Sequence, residues 1–411
     1  MKTLFYNGYV FYHDKVEKLE LVVCDNKIEY IGKKYEGNVD KKIDLNGKLV
    51  MPGFINMHAH SPMSIMRGIK DDCELESWLY DYIFKVEEKM TDEDVYYGTL
   101  LSIMEYVRGG TTCCLDMYAA FLEPRFKAFN DSGFRANLSL DSHFFEKELP
   151  KSDIIDYNIH LHSVYTTDEK IISDAVITAK KHNIPISVHT CETLTEVGNC
   201  TAKHNMTPIE YLNEFGVFNC KVICAHCVHL HDNDFEILAG ENVSIATNPI
   251  SNLKLASGIA QLYALNKKGV NITIGTDSSA SNNVLDMAKE INACSLLQKG
   301  VLNLPTAIDN KTALSFATKN AAKALGKEKL LGELEVGYLA DLFVLDINEP
   351  NYFPQNNLSD NLIYSINSKD VCLTMINGKI VYENGEYFLA ESKEKIYAKL
   401  LEIKERLLKF K

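Results

Sequence analysis

Two histidines separated by one residue are the first feature of this chain that could do chemistry. They are His58 and His60, in the run Gly53-Phe54-Ile55-Asn56-Met57-His58-Ala59-His60. In a β-strand, side chains two positions apart project from the same face, with Cα atoms about 6–7 Å apart. Two imidazoles at this spacing can converge on one metal ion, to which each nitrogen bonds at about 2.0–2.1 Å. Alone, such a pair is a weak indication of a metal site.

Three more polar residues end later apolar runs, and each could act with the first pair. His189 ends the run 184–188, His226 ends 222–225 and Asp277 ends 272–276. Each could instead cap a turn or a helix. If these runs are strands that finish at one edge of a sheet, their polar ends gather there, and buried charge must be paired or metal-bound. The pattern therefore predicts a metal site.

A carboxylate follows one of these histidines closely. Glu192 lies three residues after His189, in Val188-His189-Thr190-Cys191-Glu192-Thr193. A metal lowers the pKa of bound water from 15.7 toward about 7, and a nearby glutamate can then carry the proton to a substrate nitrogen and to the leaving group. The alternative is a first-turn glutamate, favoured by the helix dipole.

The middle of the chain alternates short apolar runs with helical patterns, which indicates parallel strands covered by helices. Eight such runs predict a closed (β/α)8 barrel, whose chemistry gathers at the carboxyl ends of the strands. The rival is an open doubly wound sheet, which usually has a glycine-rich turn after its first strand, unlike residues 57–60. The predicted strands are Leu49–Met57, Thr111–Asp116, Arg135–Leu140, Asp156–His162, Ile184–His189, Lys221–His226, Asn242–Thr247 and Val270–Asp277.

Both ends of the chain are rich in short β-strands instead. The N-terminal runs are 4–12, 19–24 and 27–31, and near the other end Asn377-Gly378 is a hairpin turn between two strands. We therefore expect residues 1–51 and 338–411 to flank a barrel domain of residues 52–337. The last segment, 391–411, has the apolar spacing of a helix that packs on the body of the protein.

Composition excludes several classes of protein. The 411 residues are 46% hydrophobic and 24% charged, which favours a large folded core. The net charge of −13 disfavours nucleic acid as a partner, and no run of about 18 apolar residues predicts a membrane span. Eleven cysteines, an odd number, and no signal-peptide core in residues 1–8 favour a reduced, cytoplasmic protein. The oligomeric state stays open, a homo-oligomer included.

Several segments together resemble the amidohydrolase superfamily, and within it the 5-methylthioadenosine/S-adenosylhomocysteine deaminases. The resemblance runs from the first strands to about residue 385. It rests on Pro52–His60, Val188–Thr193, Ala225–Leu230, Asn248–Leu255, Gly275–Asn283 and Gly337–Leu342.

The resemblance implies a distorted (β/α)8 barrel plus a small β-sandwich built from both chain ends. It implies one divalent metal, held by His58, His60, His189 and Asp277. Zn²⁺ is the first expectation, with Fe²⁺ and Mn²⁺ as alternatives. Glu192 would shuttle protons, and His226 would polarise the attacking hydroxide or the leaving amine. Binuclear relatives carry a lysine at the end of strand four; here that strand ends in residues 160–163, without lysine, which favours a single metal.

For the substrate, an adenine nucleoside, the resemblance points to Trp78 as an aromatic wall, Glu87 as partner of the ribose hydroxyls and His162 as a contact to the sugar. The residue types alone leave Trp78 as a core residue and Glu87 as a solvated one. His229 and His231 are read as loop residues, and the cysteines at 220, 224 and 227 suit no zinc finger.

One departure from the family bears on the substrate. Arginines after strand three, which help to hold the tail of S-adenosylhomocysteine, are absent, and only Lys147 and Lys151 lie nearby. We expect a deaminase that forms the hypoxanthine ring and prefers a small or apolar 5′ end. The alternatives are hydrolysis of another heterocycle, such as guanine or a triazine, and an inactive scaffold, which the intact ligand set disfavours.

Overall fold

The N-terminal strands build the whole of a small sheet and part of a second one. In the computed structural model, which describes residues 1–408, β1, β4, β5 and β6 form the four-stranded sheet β5-β4-β1-β6. The expected strand 4–12 is two strands, because Asn7 takes a left-handed conformation (φ 62°) between them. The strands are β1 (Lys2–Tyr6), β2 (Tyr9–Tyr12), β3 (Lys15–Glu17), β4 (Glu20–Cys24), β5 (Lys27–Gly32), β6 (Lys41–Asp44) and β7 (Lys48–Pro52).

Eight parallel strands form the barrel, as the sequence predicts, in the order β15-β14-β13-β12-β11-β10-β9-β8. The first and last strands meet where Ala59 bridges to Asp277 and the Asp277 N–H donates to the carbonyl of His58 at 2.9 Å. The strands are β8 (Phe54–Ala59), β9 (Thr111–Asp116), β10 (Arg135–Leu140), β11 (Ile155–Leu161), β12 (Ile186–Thr190), β13 (Val222–His226), β14 (Val243–Thr247) and β15 (Asn271–Ile274).

The first barrel strand was expected over 49–57, and this prediction is wrong at its start. The chain leaves one sheet at Pro52 and enters another at Phe54. Gly53 makes the crossing possible, because a Cβ there would lie 2.0 Å from the Thr112 hydroxyl oxygen. The predicted strands 156–162 and 270–277 also end early, so His162 and Asp277 lie just beyond β11 and β15.

The C-terminal strands complete a seven-stranded sheet, β19-β18-β17-β16-β7-β2-β3. Its β7 and β16 pair antiparallel, so segments far apart in sequence share one sheet. Apolar side chains of both smaller sheets, including Phe5, Leu21 and Leu373, form one core between them, which confirms the expected β-sandwich. The strands are β16 (Leu342–Asp346), β17 (Val371–Ile376), β18 (Lys379–Glu383) and β19 (Glu386–Tyr387).

Helices cover the outside of the barrel and one segment covers its mouth. The covering segment, residues 61–90, contains α1, α2, a 3-10 helix (Ser61–Met66) and a π-helix (Trp78–Ile83). The α-helices are α1 (Leu75–Ser77), α2 (Phe84–Glu87), α3 (Asp92–Arg108), α4 (Leu122–Asp131), α5 (Glu169–His182), α6 (Leu194–His204), α7 (Pro208–Glu214), α8 (Asp232–Leu238), α9 (Pro249–Lys254), α10 (Leu262–Lys267), α11 (Ser279–Asn282), α12 (Met287–Leu302), α13 (Asn310–Phe316), α14 (Lys319–Ala324), α15 (Leu358–Ser365) and α16 (Lys393–Leu408).

Two contacts tie the terminal segments to the barrel. The Arg135 guanidinium of β10 donates to both carboxylate oxygens of Asp341, at 2.7 and 3.0 Å, and the pair is buried. Helix α16 buries Ile396, Ile403 and Leu407, as its spacing predicts; residues 409–411 of the expected helix lie outside the described part. The domain boundaries at 51/52 and 337/338 stay a prediction. Within residues 1–408, every helix is too short or too polar to cross a bilayer.

Candidate active site

The five predicted polar residues meet at the carboxyl end of the barrel. His58 lies on β8 and His60 just after it, His189 on β12, His226 at the end of β13 and Asp277 after β15. The imidazole centroids of His60 and His189 both lie 4.9 Å from that of His58. Asp277 Oδ1 lies 3.5 Å from His58 Nε2 and 3.3 Å from His60 Nε2.

The carboxylate of Asp277 is held from several sides. The Ser251 and Ser281 hydroxyls donate to Oδ2 at 2.6 and 2.9 Å, and the Ser278 N–H donates to Oδ1 at 2.7 Å. Burial opposes ionisation, but the adjacent His58 and His60 rings outweigh it and hold the pKa of Asp277 well below its usual range. An ionised, firmly oriented carboxylate is what a cation site needs.

Two of the histidines, His58 and His189, present unprotonated nitrogens to the cluster. Burial lowers the pKa of His58 to about 4 and that of His189 well below its usual range, so both rings are neutral, the form that ligates metals. His189 Nδ1 lies 2.8 Å from the carbonyl oxygen of His162, which orients the ring with Nε2 toward the cluster.

The residues present fit a divalent metal ion. His58 Nε2 is buried without a hydrogen-bond partner in the described part of the chain. Nitrogen and oxygen atoms of His58, His60 and His189, and likewise of His58, His226 and Asp277, lie within 4.8 Å of one another. A buried polar atom without a partner costs about 1–3 kcal/mol, and a cation bound here would pair it.

Glu192 lies beside this cluster, next to His226. His226 Nδ1 lies 2.8 Å from Asn252 Oδ1, which leaves Nε2 facing Glu192 at 3.7 Å from its Oε2. Burial raises the pKa of Glu192, and the adjacent His226 counters part of that rise. A glutamate with a raised pKa exchanges protons more readily near neutrality.

Two of these residues have an unusual backbone. His226 and Asp277 adopt left-handed conformations, with φ of 70° and 60°. Such conformations cost about 1–3 kcal/mol for residues other than glycine and concentrate at functional sites. Neither turn is encoded by a glycine or asparagine that could have revealed it.

A cavity of about 310 Å³ opens above the cluster, beneath the covering segment. Trp78 and Glu87 of that segment line it, as does His162 from the end of β11, so the structure brings all three predicted substrate residues to one space. Trp78 is buried, and burial raises the pKa of Glu87. The solvated face that the residue types favoured for Glu87 is therefore wrong, since the segment folds over the barrel.

Several residues of the site were not found from the sequence. Tyr118, Phe121 and His160 also line the cavity. Glu290 of α12 accepts hydrogen bonds from the Ile250 N–H at 3.1 Å and from the Asn282 side chain at 2.6 Å, which joins α9 and α11, the two short helices that supply serines to Asp277. The spacing of Glu290 within an apolar helix was the only available signal.

The other histidines and lysines considered lie elsewhere. His229 Nε2 is 2.6 Å from the Ser257 carbonyl oxygen, and His231 caps α8, as expected for loop residues. Lys147 is exposed, and Lys151 pairs with Glu148 in solvent. Neither lysine lines the cavity.

Comparison with known proteins places this chain in one family. Residues 49–381 match the model of the amidohydrolase family, and the chain belongs to that family. It is 39% identical to a 5′-deoxyadenosine deaminase of Methanocaldococcus jannaschii, over 99% of each chain. It is also 39% identical to a 5-methylthioadenosine/S-adenosylhomocysteine deaminase of Acetivibrio thermocellus, over 96% of each.

A solved structure gives the same result in three dimensions. An adenosine deaminase from Xanthomonas campestris with bound zinc superposes with a TM-score of 0.94 at 30% identity, over 99% of this chain and 98% of that one. The predicted barrel, and the resemblance to the amidohydrolase superfamily and its deaminases, are thus confirmed. The chain is an amidohydrolase-type enzyme.

Proposed function

We propose that this enzyme is a metal-dependent deaminase of adenine nucleosides, which forms the hypoxanthine ring and releases ammonia. The observation that carries the proposal is the position of Glu192, a buried carboxylate. It lies beside the five residues that could bind a cation, here called the cation cluster: His58, His60, His189, His226 and Asp277. The deaminase names of relatives at 39% identity support the reaction class.

Four of the five residues are proposed to hold one divalent cation: His58, His60, His189 and Asp277. Zn²⁺ is the cation we propose, because three imidazoles and a carboxylate suit it and a similar deaminase contains zinc; Fe²⁺ and Mn²⁺ suit the same ligands. When bound, the cation supplies the Lewis acidity that makes water a nucleophile at neutral pH.

The proton transfers are assigned to this chain's own side chains. In the reaction, the oxygen of water bonds to C6 of adenine and the bond from C6 to the amino nitrogen breaks. One proton of water ends on N1 and the other on the departing ammonia. Glu192 takes up and returns these protons, while His226, held by Asn252, donates or accepts a hydrogen bond at the reacting oxygen or amine.

The cavity walls are proposed to select a nucleoside. Trp78 offers an apolar aromatic face to the purine, and Glu87 offers a carboxylate that can accept hydrogen bonds from the ribose hydroxyls. His162 also lines the cavity and can contact the sugar. An enzyme for a free base such as guanine, or for a triazine, would have no use for Glu87 as a ribose partner.

The proposal is tested by following ultraviolet absorbance with a panel of adenosine, 5′-deoxyadenosine, 5′-methylthioadenosine, S-adenosylhomocysteine, adenine and guanine. We expect turnover of the nucleosides and little of the free bases. In Glu87→Gln, KM for nucleosides should rise by about tenfold, which corresponds to about 1.4 kcal/mol. Turnover of guanine with no nucleoside activity would overturn the proposal.

A further inference from the structure

One wall of the cavity carries a histidine, His160, that is paired with a carboxylate. The cluster occupies the ends of β8, β12, β13 and β15, whereas residues 117–121, which follow β9, and His160 on β11 line another part of the cavity. There, Ala119, Ala120 and Phe121 give an apolar surface, and His160 gives the polar group.

His160 is held in place by Asp141. Its Nδ1 lies 3.1 Å from Asp141 Oδ1, and about 12% of its side chain is exposed. Asp141 directly follows β10 and is about half exposed. With Nδ1 engaged by the carboxylate, the ring turns its other nitrogen, Nε2, toward the cavity that it lines.

The geometry of an adenine nucleoside decides which part of it reaches this wall. C6, where deamination occurs, and N9, which bears the ribose, lie at opposite ends of the purine. If C6 lies at the cation cluster, as the proposed function requires, the sugar and its 5′ substituent extend toward β9–β11. The 5′ end therefore meets Phe121 and His160.

In the described part of the chain, the cavity lining contains no lysine or arginine, and any positive charge on His160 is already matched by Asp141. An amino-acid tail at the 5′ position would bring its carboxylate toward the carboxylate of Asp141. Such like charges repel and lack the charge-assisted partner that a desolvated carboxylate needs.

We infer that Asp141, acting through His160, is a specificity determinant that selects nucleosides with a small, uncharged 5′ end and disfavours 5′ tails that carry a carboxylate. This inference rests on the proposed function and names its substrate class. His160 contacts the 5′ end directly, and Asp141 is a positioning residue that also sets the local charge.

The test compares two substrates within each variant, so that any loss of folded or metal-loaded enzyme cancels. We measure the ratio of kcat/KM for 5′-methylthioadenosine to that for S-adenosylhomocysteine in the wild type, Asp141→Asn and Glu146→Gln. Glu146 is an exposed acid in the same loop and is the matched control. The wild-type ratio should be tenfold or more, Asp141→Asn should lower it at least fivefold, and Glu146→Gln should leave it within twofold.

Two results would overturn the inference. One is a ratio in Asp141→Asn within twofold of the wild-type ratio, which would mean that Asp141 only supports the fold. The other is an equal change in Glu146→Gln, which would indicate a general charge effect. Both differ from failure of the proposed function, in which the wild type would deaminate neither nucleoside.

Discussion

Glu192 and His226 face each other at one side of the cation cluster, with Glu192 Oε2 3.7 Å from His226 Nε2. This distance exceeds that of a hydrogen bond, so neither side chain satisfies the other. Both are buried, and each contacts a second residue that holds it. The backbone N–H of Glu192 donates to the Glu196 carboxylate at 2.8 Å, and His226 Nδ1 lies 2.8 Å from Asn252 Oδ1. The pair is therefore arranged to act on a third group.

Glu192→Gln should keep the fold and the metal but lose most of the turnover, by about 10²–10⁴-fold, since an amide of the same shape cannot carry the proton. Steady-state kinetics and metal analysis on the same preparation check this. Glu214→Gln, at an exposed position in α7, is the control. More than a tenth of wild-type kcat in Glu192→Gln would rule out the shuttle role.

The cation cluster predicts a stoichiometry. The freshly purified enzyme should contain close to one equivalent of divalent metal per chain, and a chelator should abolish activity until the metal is restored. His58→Ala should lose both metal and turnover, whereas His229→Ala should retain the metal, because His229 bonds to the Ser257 carbonyl instead. Two equivalents bound in the fully active enzyme would contradict the single site.

Glu290 should make stability depend on pH. Burial raises its pKa to about 8, despite the hydrogen bonds it accepts from Ile250 and Asn282. The folded chain then keeps a proton that the unfolded chain loses near pH 4–5. The free energy of unfolding should therefore fall as pH rises from about 5 to about 8, by up to about 1.4 kcal/mol per pH unit from this group.

Glu290→Gln cannot titrate and should flatten that slope. Denaturant unfolding of the chelator-treated protein at several pH values measures it, without the pH dependence of metal binding. Glu241→Gln, in an exposed loop, is the control and should leave the slope as it is. Equal slopes in all three proteins would show that Glu290 does not carry the effect.

Gly275 should tolerate no side chain, because it allows β15 to close the barrel against His58. A Cβ at this position would lie 2.5 Å from His58 Cβ and 2.6 Å from its backbone nitrogen. Gly275→Ala should destabilise the protein by about 1–3 kcal/mol and weaken metal retention, as overpacking usually does. Thermal unfolding and metal analysis measure the two effects.

Gly300 provides the contrast for this substitution. It lies in α12, and a Cβ there would meet nothing within 4 Å. Gly300→Ala should therefore stabilise the protein by about 0.5–1 kcal/mol, since glycine is costly inside a helix. If both variants changed stability in the same direction and to the same extent, the close approach to His58 would not explain why position 275 needs glycine.

Much of the barrel was predictable because each buried strand is a local apolar run. The runs ending at His189 and His226 match β12 and β13 to within two residues. The boundary at Gly53 was missed because the residues before and after it are equally apolar, although they belong to two different sheets. Only the close approach to Thr112 shows where the chain must turn. The solvent exposure of Glu87 was predicted wrongly from its sequence neighbours, because the contacts that bury it come from the barrel.

The sequence by itself determined the kinds of group in the site: imidazoles and carboxylates placed where parallel strands end. Their order along the chain indicated that they would share one edge. Only the tertiary structure decided their mutual geometry, including the left-handed turns at His226 and Asp277, the serines on Asp277, and the pairing of Asp141 with His160. The physical reason is barrel closure: residues up to about 220 positions apart become neighbours only when β8 meets β15, and no local pattern records that contact.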